Sequence, residues 1–521
     1  SANGKAYPLY QTACALLAQN GFVVLSYDPI SQGERTQLPK AARYGTTTHT
    51  LLNHGARLTG RSVVWYSAWD GVRSIDYLLS RPEVDRSKLI GMTGTSGGGT
   101  QTTFLMAIDD RIGPAAPSCY TMQRTDKFNG KSGPADGCQH LAGEGLHGID
   151  HIDYSLMRFP RPTAILAATQ DFFEIDSTRE TVRDAKAVFG ALGQADRFAF
   201  FEADTTHGMH VGHRQEATRW MRQWLYNDSS PVTEPKDILL FTDAELQVTR
   251  TGQVHNDFPD EANVADISLR LANRLETKRR HFWASNPAKA LAKVRKLIGL
   301  PKNLPQPRVE RGGQAQTNWA RIDKFTLQRT GDMPVPALLF RPPGNTSHAL
   351  DVVVYADDRG MRSAAHANGP IRKLVNESTA VFAVDLRGLG ETRDQGSNAK
   401  YHSHSHRVGN VATHIGQPLL GQRVRDLLAV VDYLNEVGSE RVRSIRVVGV
   451  GAAGPVALHA TVLDERISQV ELRNPTVNSW VDDVVAQPLR REMVDHVVPG
   501  ALAWYDLPDL ARQLGARLRT R

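Results

Sequence analysis

The residues of this sequence best suited to chemistry are Gly94-Thr95-Ser96-Gly97-Gly98. They lie between a short apolar run, Leu89 to Met92, and a helix-compatible run, Thr100 to Ile108. A serine on so tight a strand-to-helix turn has the setting of a nucleophile elbow. Glycine neighbours are needed because the backbone there is strained and packs against both flanking elements. The helix N-terminus behind Ser96 offers N–H groups and a positive dipole end to a developing oxyanion.

A serine hydroxyl is a weak nucleophile unless a base takes its proton and an acid orients that base. With the chain order serine, acid, histidine, the acid is Asp171, just past the apolar strand pattern Ala164–Ala168. Glu174 and Asp176 are the alternatives, and Asp176 also suits a helix cap. The base is His207, in Asp204-Thr205-Thr206-His207-Gly208 after the strand pattern Phe198–Ala203, with His210 and His213 as competitors in the same loop. A metal reading of these three histidines is the weaker account, since no cysteine or carboxylate set accompanies them. The oxyanion donors expected are the N–H of Gly97 and one from the loop at Ala2. No cofactor motif is present, and none is expected.

Three parts must position these residues. From 1 to 227, strand patterns (Phe22–Tyr27, Lys88–Thr93, Gly113–Ser118, Pro162–Ala168, Arg197–Ala203) alternate with helix patterns (Pro8–Asn20, Ser62–Ser80, Ser177–Leu192, Arg214–Leu225). Such alternation predicts an α/β fold with a mostly parallel sheet. Residues 228–305 read as a helical linker, and 306–521 repeat the first part. Asp28 with Gly33-Glu34 recurs as Asp385 with Gly390-Glu391, and Asp76-Tyr77-Leu78 as Asp432-Tyr433-Leu434. The elbow recurs near Gly449–Gly454, where the 63-residue spacing puts Ala453 (or, with a one-residue slip, Gly454) in the place of Ser96. The second copy therefore lacks the nucleophile. The same offset predicts that the first copy lacks N-terminal strands of its sheet and that the second is cut short at its C-terminus.

Other polar clusters read as structural. Asp28, Glu34 and Arg35 suit a loop ion pair, and His402, His404 and His406 an exposed polar loop rather than a metal site. The long segment Tyr120–Phe159, with Asp136, Gln139, His140, His147 and His151, suits a cap over the pocket and a hydrophilic acyl substrate.

Composition narrows the function class. A net charge of +7 over 521 residues, with Lys and Arg scattered, describes a solvated surface and no nucleic-acid stripe. No apolar run reaches the ~18 residues of a membrane span. Cys14, Cys119 and Cys138 have no zinc or C-x-x-C spacing; Cys119 and Cys138 could pair in an exported protein, and three free thiols are the alternative. Oligomeric state is not encoded in any feature of the chain.

Asp28 with Gly33-Glu34-Arg35, the elbow, Gln170-Asp171-Phe172-Phe173 and the His207 loop together resemble the acetylxylan esterase-like α/β-hydrolases, relatives of the dienelactone hydrolase and prolyl oligopeptidase groups. The resemblance covers residues 1–227 well and the second copy more weakly. It implies a serine carboxylesterase with Ser96, Asp171 and His207 as nucleophile, acid and base. The implied substrate is a small-molecule or polysaccharide ester such as acetylated xylan, and the family's bacterial members are often exported. A prolyl oligopeptidase-type peptidase and a non-catalytic carbohydrate-binding relative are the other readings.

Overall fold

The structure is a computed structural model and describes residues 3–41, 45–130, 133, 136–344, 349–394, 404–436 and 441–521. The chain divides into two compact units, Ser1–Asn53 with Ser62–Val264 and His54–Arg61 with Ala265–Arg521. Residues 228–264 thus go with the first unit and 265–305 with the second. The latter carry the helix Pro287–Leu297 and most of the helix Val264–Ser285.

The first unit holds four strands in one parallel sheet: β1 (Ile90–Thr95), β2 (Ile112–Ser118), β3 (Thr163–Gln170) and β4 (Phe198–Thr206), in spatial order β1-β2-β3-β4. Alternate side chains leave opposite faces of a strand, so each face needs its own cover. Ala116, Ala164 and Leu166 pack with Trp220 and Met221 of the helix Val211–Leu225. On the other face Ala115 and Ile112 meet Ile75 and Leu105, and Ile165 meets Val182 and Phe189. Ser62 starts the helix Val63–Ser80 by accepting the Trp65 N–H, as its residue type leads one to expect.

One predicted strand is not formed. Phe22–Tyr27 joins no ladder, because among the described residues no strand stands between it and β1 to supply partners. Side chains hold it instead: Phe22 stacks on Tyr226 at 4.6 Å, and Tyr27 Oη donates to Gln101 at 2.8 Å.

The second unit has an eight-stranded mixed sheet. Its strands are β5 (Arg308–Gln316), β6 (Arg321–Gln328), β7 (Val335–Arg341), β8 (Leu350–Asp357), β9 (Thr379–Val384), β10 (Val442–Val450), β11 (Ile467–Arg473) and β12 (Leu518–Thr520). The spatial order is β12-β11-β10-β8-β9-β7-β6-β5, antiparallel from β9 through β7 to β5 and parallel elsewhere. Every residue of β9 is buried. Among the described residues no helix is long and apolar enough to cross a membrane, and all three cysteines are free.

Candidate active site

Ser96 sits just past the carboxyl end of β1 with φ +58° and ψ −116°, and the helix Gly97–Ile108 begins at the next residue. A non-glycine residue in that region carries about 1–3 kcal/mol of strain, which the surroundings must hold. They do so through backbone bonds: the Ser96 N–H donates to Ser118 O at 3.0 Å, and the Thr100 N–H to Ser96 O at 2.8 Å. Glycine is required around it at specific places. A Cβ on Gly94 would stand 2.7 Å from the Gly98 backbone, and one on Gly99 would stand 2.4 Å from Ser118 O. Gly97 and Gly98 have open space where a Cβ would go and line a cavity of about 490 Å³ together with Ser96.

Asp171 leaves the end of β3 and His207 the end of β4. The Nδ1 of His207 lies 2.8 and 2.9 Å from the two carboxylate oxygens of Asp171. The Asp171 side chain is 1% exposed and that of His207 24%, so the acid is enclosed and the base reaches solvent. The Phe173 N–H fixes one Asp171 oxygen at 3.1 Å, and the Phe172 ring covers the imidazole at 4.3 Å. Gly208 takes φ +153°, and a Cβ there would stand 2.9 Å from the His210 ring.

The competitors fall elsewhere. His213 spans Gly208 O at 3.0 Å and Ala167 O at 2.9 Å, bracing the His207 loop against β3. His210 stands at the N-terminal end of the helix Val211–Leu225, and Asp176 pairs with Arg179 on the surface. Ala2 lies outside the described residues, as does His402. His404 is exposed and His406 buried, so these two do not share one side of a strand.

Two neighbours of the pair carried no sequence motif. Cys119, with φ +50° at the end of β2, places its Sγ within 4.8 Å of donor atoms of both Asp171 and His207. These three side chains could hold a metal ion by position alone. Burial pushes the Cys119 thiol up. Lys127 lies buried with Nζ 4.1 Å from the centre of the Phe173 ring. Burial, helped by Arg124, pushes its amine down to about 7. The position of Cys119 directly after a strand was the one available hint. For Lys127 there was none.

The other polar clusters of the first unit are held by ion pairs and hydrogen bonds of their own. Asp28 accepts from the Lys5 N–H at 2.7 Å, the Lys5 Nζ at 2.7 Å and the Glu34 N–H at 3.1 Å. Burial works to raise the Glu34 carboxyl, but Lys5, Thr249 and the N–H groups of Val248 and Thr249 outweigh it and hold it down to about 2. Arg35 pairs with Asp70 at 2.7 Å. In the segment after β2, Arg124 pairs with Glu144 in the interior at 2.6 Å, His151 Nδ1 accepts from the Met122 N–H, and His147 is exposed.

The second unit contains the same backbone arrangement. Asp385 accepts from the Met361 and Glu391 N–H groups, as Asp28 does from Lys5 and Glu34. Gly451 takes φ +58° and donates its N–H to Arg473 O at 3.1 Å, as Ser96 does to Ser118. By this register the residue matching Ser96 is Gly451, neither Ala453 nor Gly454. The connection is two residues shorter than the sequence spacing assumes: 61 residues separate Gly390 from Gly451, against 63 from Gly33 to Ser96. The Ala452 N–H, in the position of Gly97, donates to the Asp358 carboxylate at 2.9 Å.

No protein-family model matches the chain, and no curated protein does. Among solved structures it is similar to an acetyl xylan esterase from Paenibacillus sp. R4, at 19% identity and a TM-score of 0.30 over 47% of this chain and 77% of that one. It is also similar to a methylesterase (19%, TM-score 0.40, 55% of this chain and 59% of that one). A third is a glucuronoyl esterase from Solibacter usitatus (14%, TM-score 0.34, 46% and 74%).

Proposed function

We propose that the first unit is a serine carboxylesterase working through an acyl-enzyme. The observation that carries this reading is the Asp171–His207 contact at the carboxyl end of the same parallel sheet as the strained Ser96 elbow. Asp171 holds the Nδ1 proton, which leaves Nε2 free to take the proton of Ser96 as its Oγ attacks the ester carbonyl. The C–O bond to the alcohol then breaks with His207 returning the proton to the leaving group, and water resolves the acyl-enzyme by the same relay. The Gly97 N–H at the helix start faces the developing oxyanion. The resemblance of the motifs, and no single residue, points to an acetylated carbohydrate such as acetylated xylan.

The shared Asp clamp and elbow register support reading the two units as copies, of which the second has glycine at the nucleophile position. The test is hydrolysis of p-nitrophenyl acetate with fluorophosphonate labelling. Wild type is expected to be active and labelled at Ser96, and Ser96→Ala to lose both. Hydrolysis that survives Ser96→Ala would falsify the assignment, and comparing acetylated xylan with acyl-peptides separates esterase from peptidase.

A further inference from the structure

The backbone bends in the same way just past β2 and just past β11, but the residue at the bend differs. Cys119 takes φ +50° and donates its N–H to Leu166 O at 2.9 Å, while Asn474 takes φ +44° and donates its N–H to Arg521 O at 3.0 Å. The preceding residues correspond too, Ser118 O accepting from Ser96 and Arg473 O from Gly451. Asparagine enters this left-handed region more readily than most residues, and cysteine has no such preference. The bend therefore accounts for Asn474 and gives no backbone reason for a thiol at 119. Around that thiol, the Cys119 Sγ, a ring nitrogen of His207 and a carboxylate oxygen of Asp171 all lie within 4.8 Å of one another.

Thiolate, imidazole and carboxylate are the donor types of a zinc site with three protein ligands and a water in the fourth position. Bonds of ~2.0–2.3 Å in a tetrahedral arrangement set the ligand atoms ~3.3–3.6 Å apart. The Nδ1 of His207, which faces Asp171 at 2.8 Å, would have to part from the carboxylate by about 0.5 Å, and the thiol to close in. The charges suit the enclosure. A Zn²⁺ ion, one thiolate and one carboxylate sum to zero, and a neutral group is far cheaper to enclose than a bare ion. Cys119 and the Asp171 side chain are buried, while the His207 ring reaches solvent and gives the ion its way in.

We propose that Cys119, Asp171 and His207 form a binding site for Zn²⁺ that switches the catalytic relay off. The ion takes Sγ, one Asp171 oxygen and Nδ1 of His207, with water as the fourth ligand. The thiol gives up its proton to solvent on binding. Nδ1 loses its hydrogen to solvent as well, and Nε2 gains one, so the ring stays neutral and one proton is released per ion bound. An imidazole with its hydrogen on Nε2 cannot take the proton of Ser96, and the metal also displaces the Asp171 contact that sets the working tautomer. The site stands on the geometry of the three side chains alone; the switch rests on the esterase reading.

The test titrates the full chain with Co²⁺, whose charge-transfer absorption reports a thiolate ligand, and then with Zn²⁺. Wild type and Ser96→Ala are expected to show the thiolate-to-cobalt band and to lose it as Zn²⁺ displaces Co²⁺. Cys119→Ser and Cys119→Ala should lack the band. They should also bind Zn²⁺ at least about 10–100-fold more weakly, because losing a ligand costs no less than losing an outer-shell partner. Cys14→Ser combined with Cys138→Ser should keep the band, which assigns it to Cys119 even where the Cys119 variants fold poorly. Hydrolysis of p-nitrophenyl acetate by wild type should fall in step with Zn²⁺ occupancy and return with EDTA. No band in wild type, or a band that survives both Cys119 substitutions, overturns the site. Undiminished hydrolysis with the site filled overturns the switch. A wild type that shows the band but hydrolyses nothing with or without metal counts against the esterase reading alone and upholds the site.

Discussion

Asp171→Asn isolates the electrostatic part of the proposed mechanism while leaving the shape of the site. The carboxylate meets His207 Nδ1 with both oxygens, at 2.8 and 2.9 Å, and one of them also accepts the Phe173 N–H at 3.1 Å. In the asparagine variant the amide oxygen keeps the Phe173 N–H, so the NH2 group faces Nδ1. Nδ1 must then become an acceptor, and the ring carries its proton on Nε2, where it cannot take the proton of Ser96. In a Ser-His-Asp triad that tautomer exchange lowers kcat by about 10⁴, equivalent to ~5 kcal/mol of transition-state stabilisation. The side chain is enclosed and isosteric, so the unfolding midpoint should hardly move. The assay is kcat and KM on p-nitrophenyl acetate for wild type, D171N, His207→Ala and the double variant. Residues acting as a unit give a double loss near the larger single loss. A D171N enzyme retaining more than about a tenth of wild-type kcat, or losses that add, would refute the pairing as the catalytic relay.

Gly94→Ala should destabilise the first unit by about 1–3 kcal/mol, because its Cβ meets the Gly98 backbone at 2.7 Å. Gly97→Ala, with open space for the Cβ, should stay within about 0.5 kcal/mol; calorimetry of both variants checks the contrast. Glu34 is held down to about 2, against an ordinary 4.5. Its stabilising contribution is therefore present above about pH 4.5 and lost as pH falls through about 2. Urea unfolding of wild type and Glu34→Gln should show a gap near neutrality that closes on acidification, and a gap independent of pH would count against the cause. Gly451→Ser should destabilise the second unit, since a Cβ there would stand 1.9 Å from an Asp358 oxygen. Asp358→Ala should relieve that cost with a coupling of about 0.5–3 kcal/mol, read from thermal midpoints of the two single variants and the pair.

Much of this site could be read from residue types alone, because its determinants are local. Gly94 and Gly99 are demanded by a turn a few residues long, and Asp171 and His207 each follow an apolar run that ends in a polar one. The four parallel strands lay within a few residues of their predicted bounds for the same reason. What failed depended on distant partners. Phe22–Tyr27 has the composition of a strand, but a ladder needs a neighbour, and composition cannot supply one. The register of the second elbow was misplaced by two residues because equal spacing was assumed across a connection that is in fact shorter. Cys119 and Lys127 reach the site through tertiary packing, around Gly208 and Phe173, which leaves no periodic trace in the sequence.

The Asp358 carboxylate sets the turn at Gly451 apart from the turn at Ser96. A helix N-terminus behind a positive-φ turn attracts negative charge in either unit, since the N–H groups and dipole are properties of the backbone. Beside Ser96 that field faces an open cavity, available to a charge that develops during reaction. Beside Gly451 it is satisfied in the resting state by Asp358, whose oxygen lies in the volume a serine side chain would enter. At Gly451 the carboxylate and a side chain exclude one another, since a Cβ there would stand 1.9 Å from the Asp358 oxygen. A serine placed at Gly451 without removing Asp358 would meet both a clash and a helix N-terminus already satisfied by the carboxylate. Gly451 takes its positive φ at no steric cost, having no Cβ, and the turn it makes leads from β10 to the helix Ala453–Leu463.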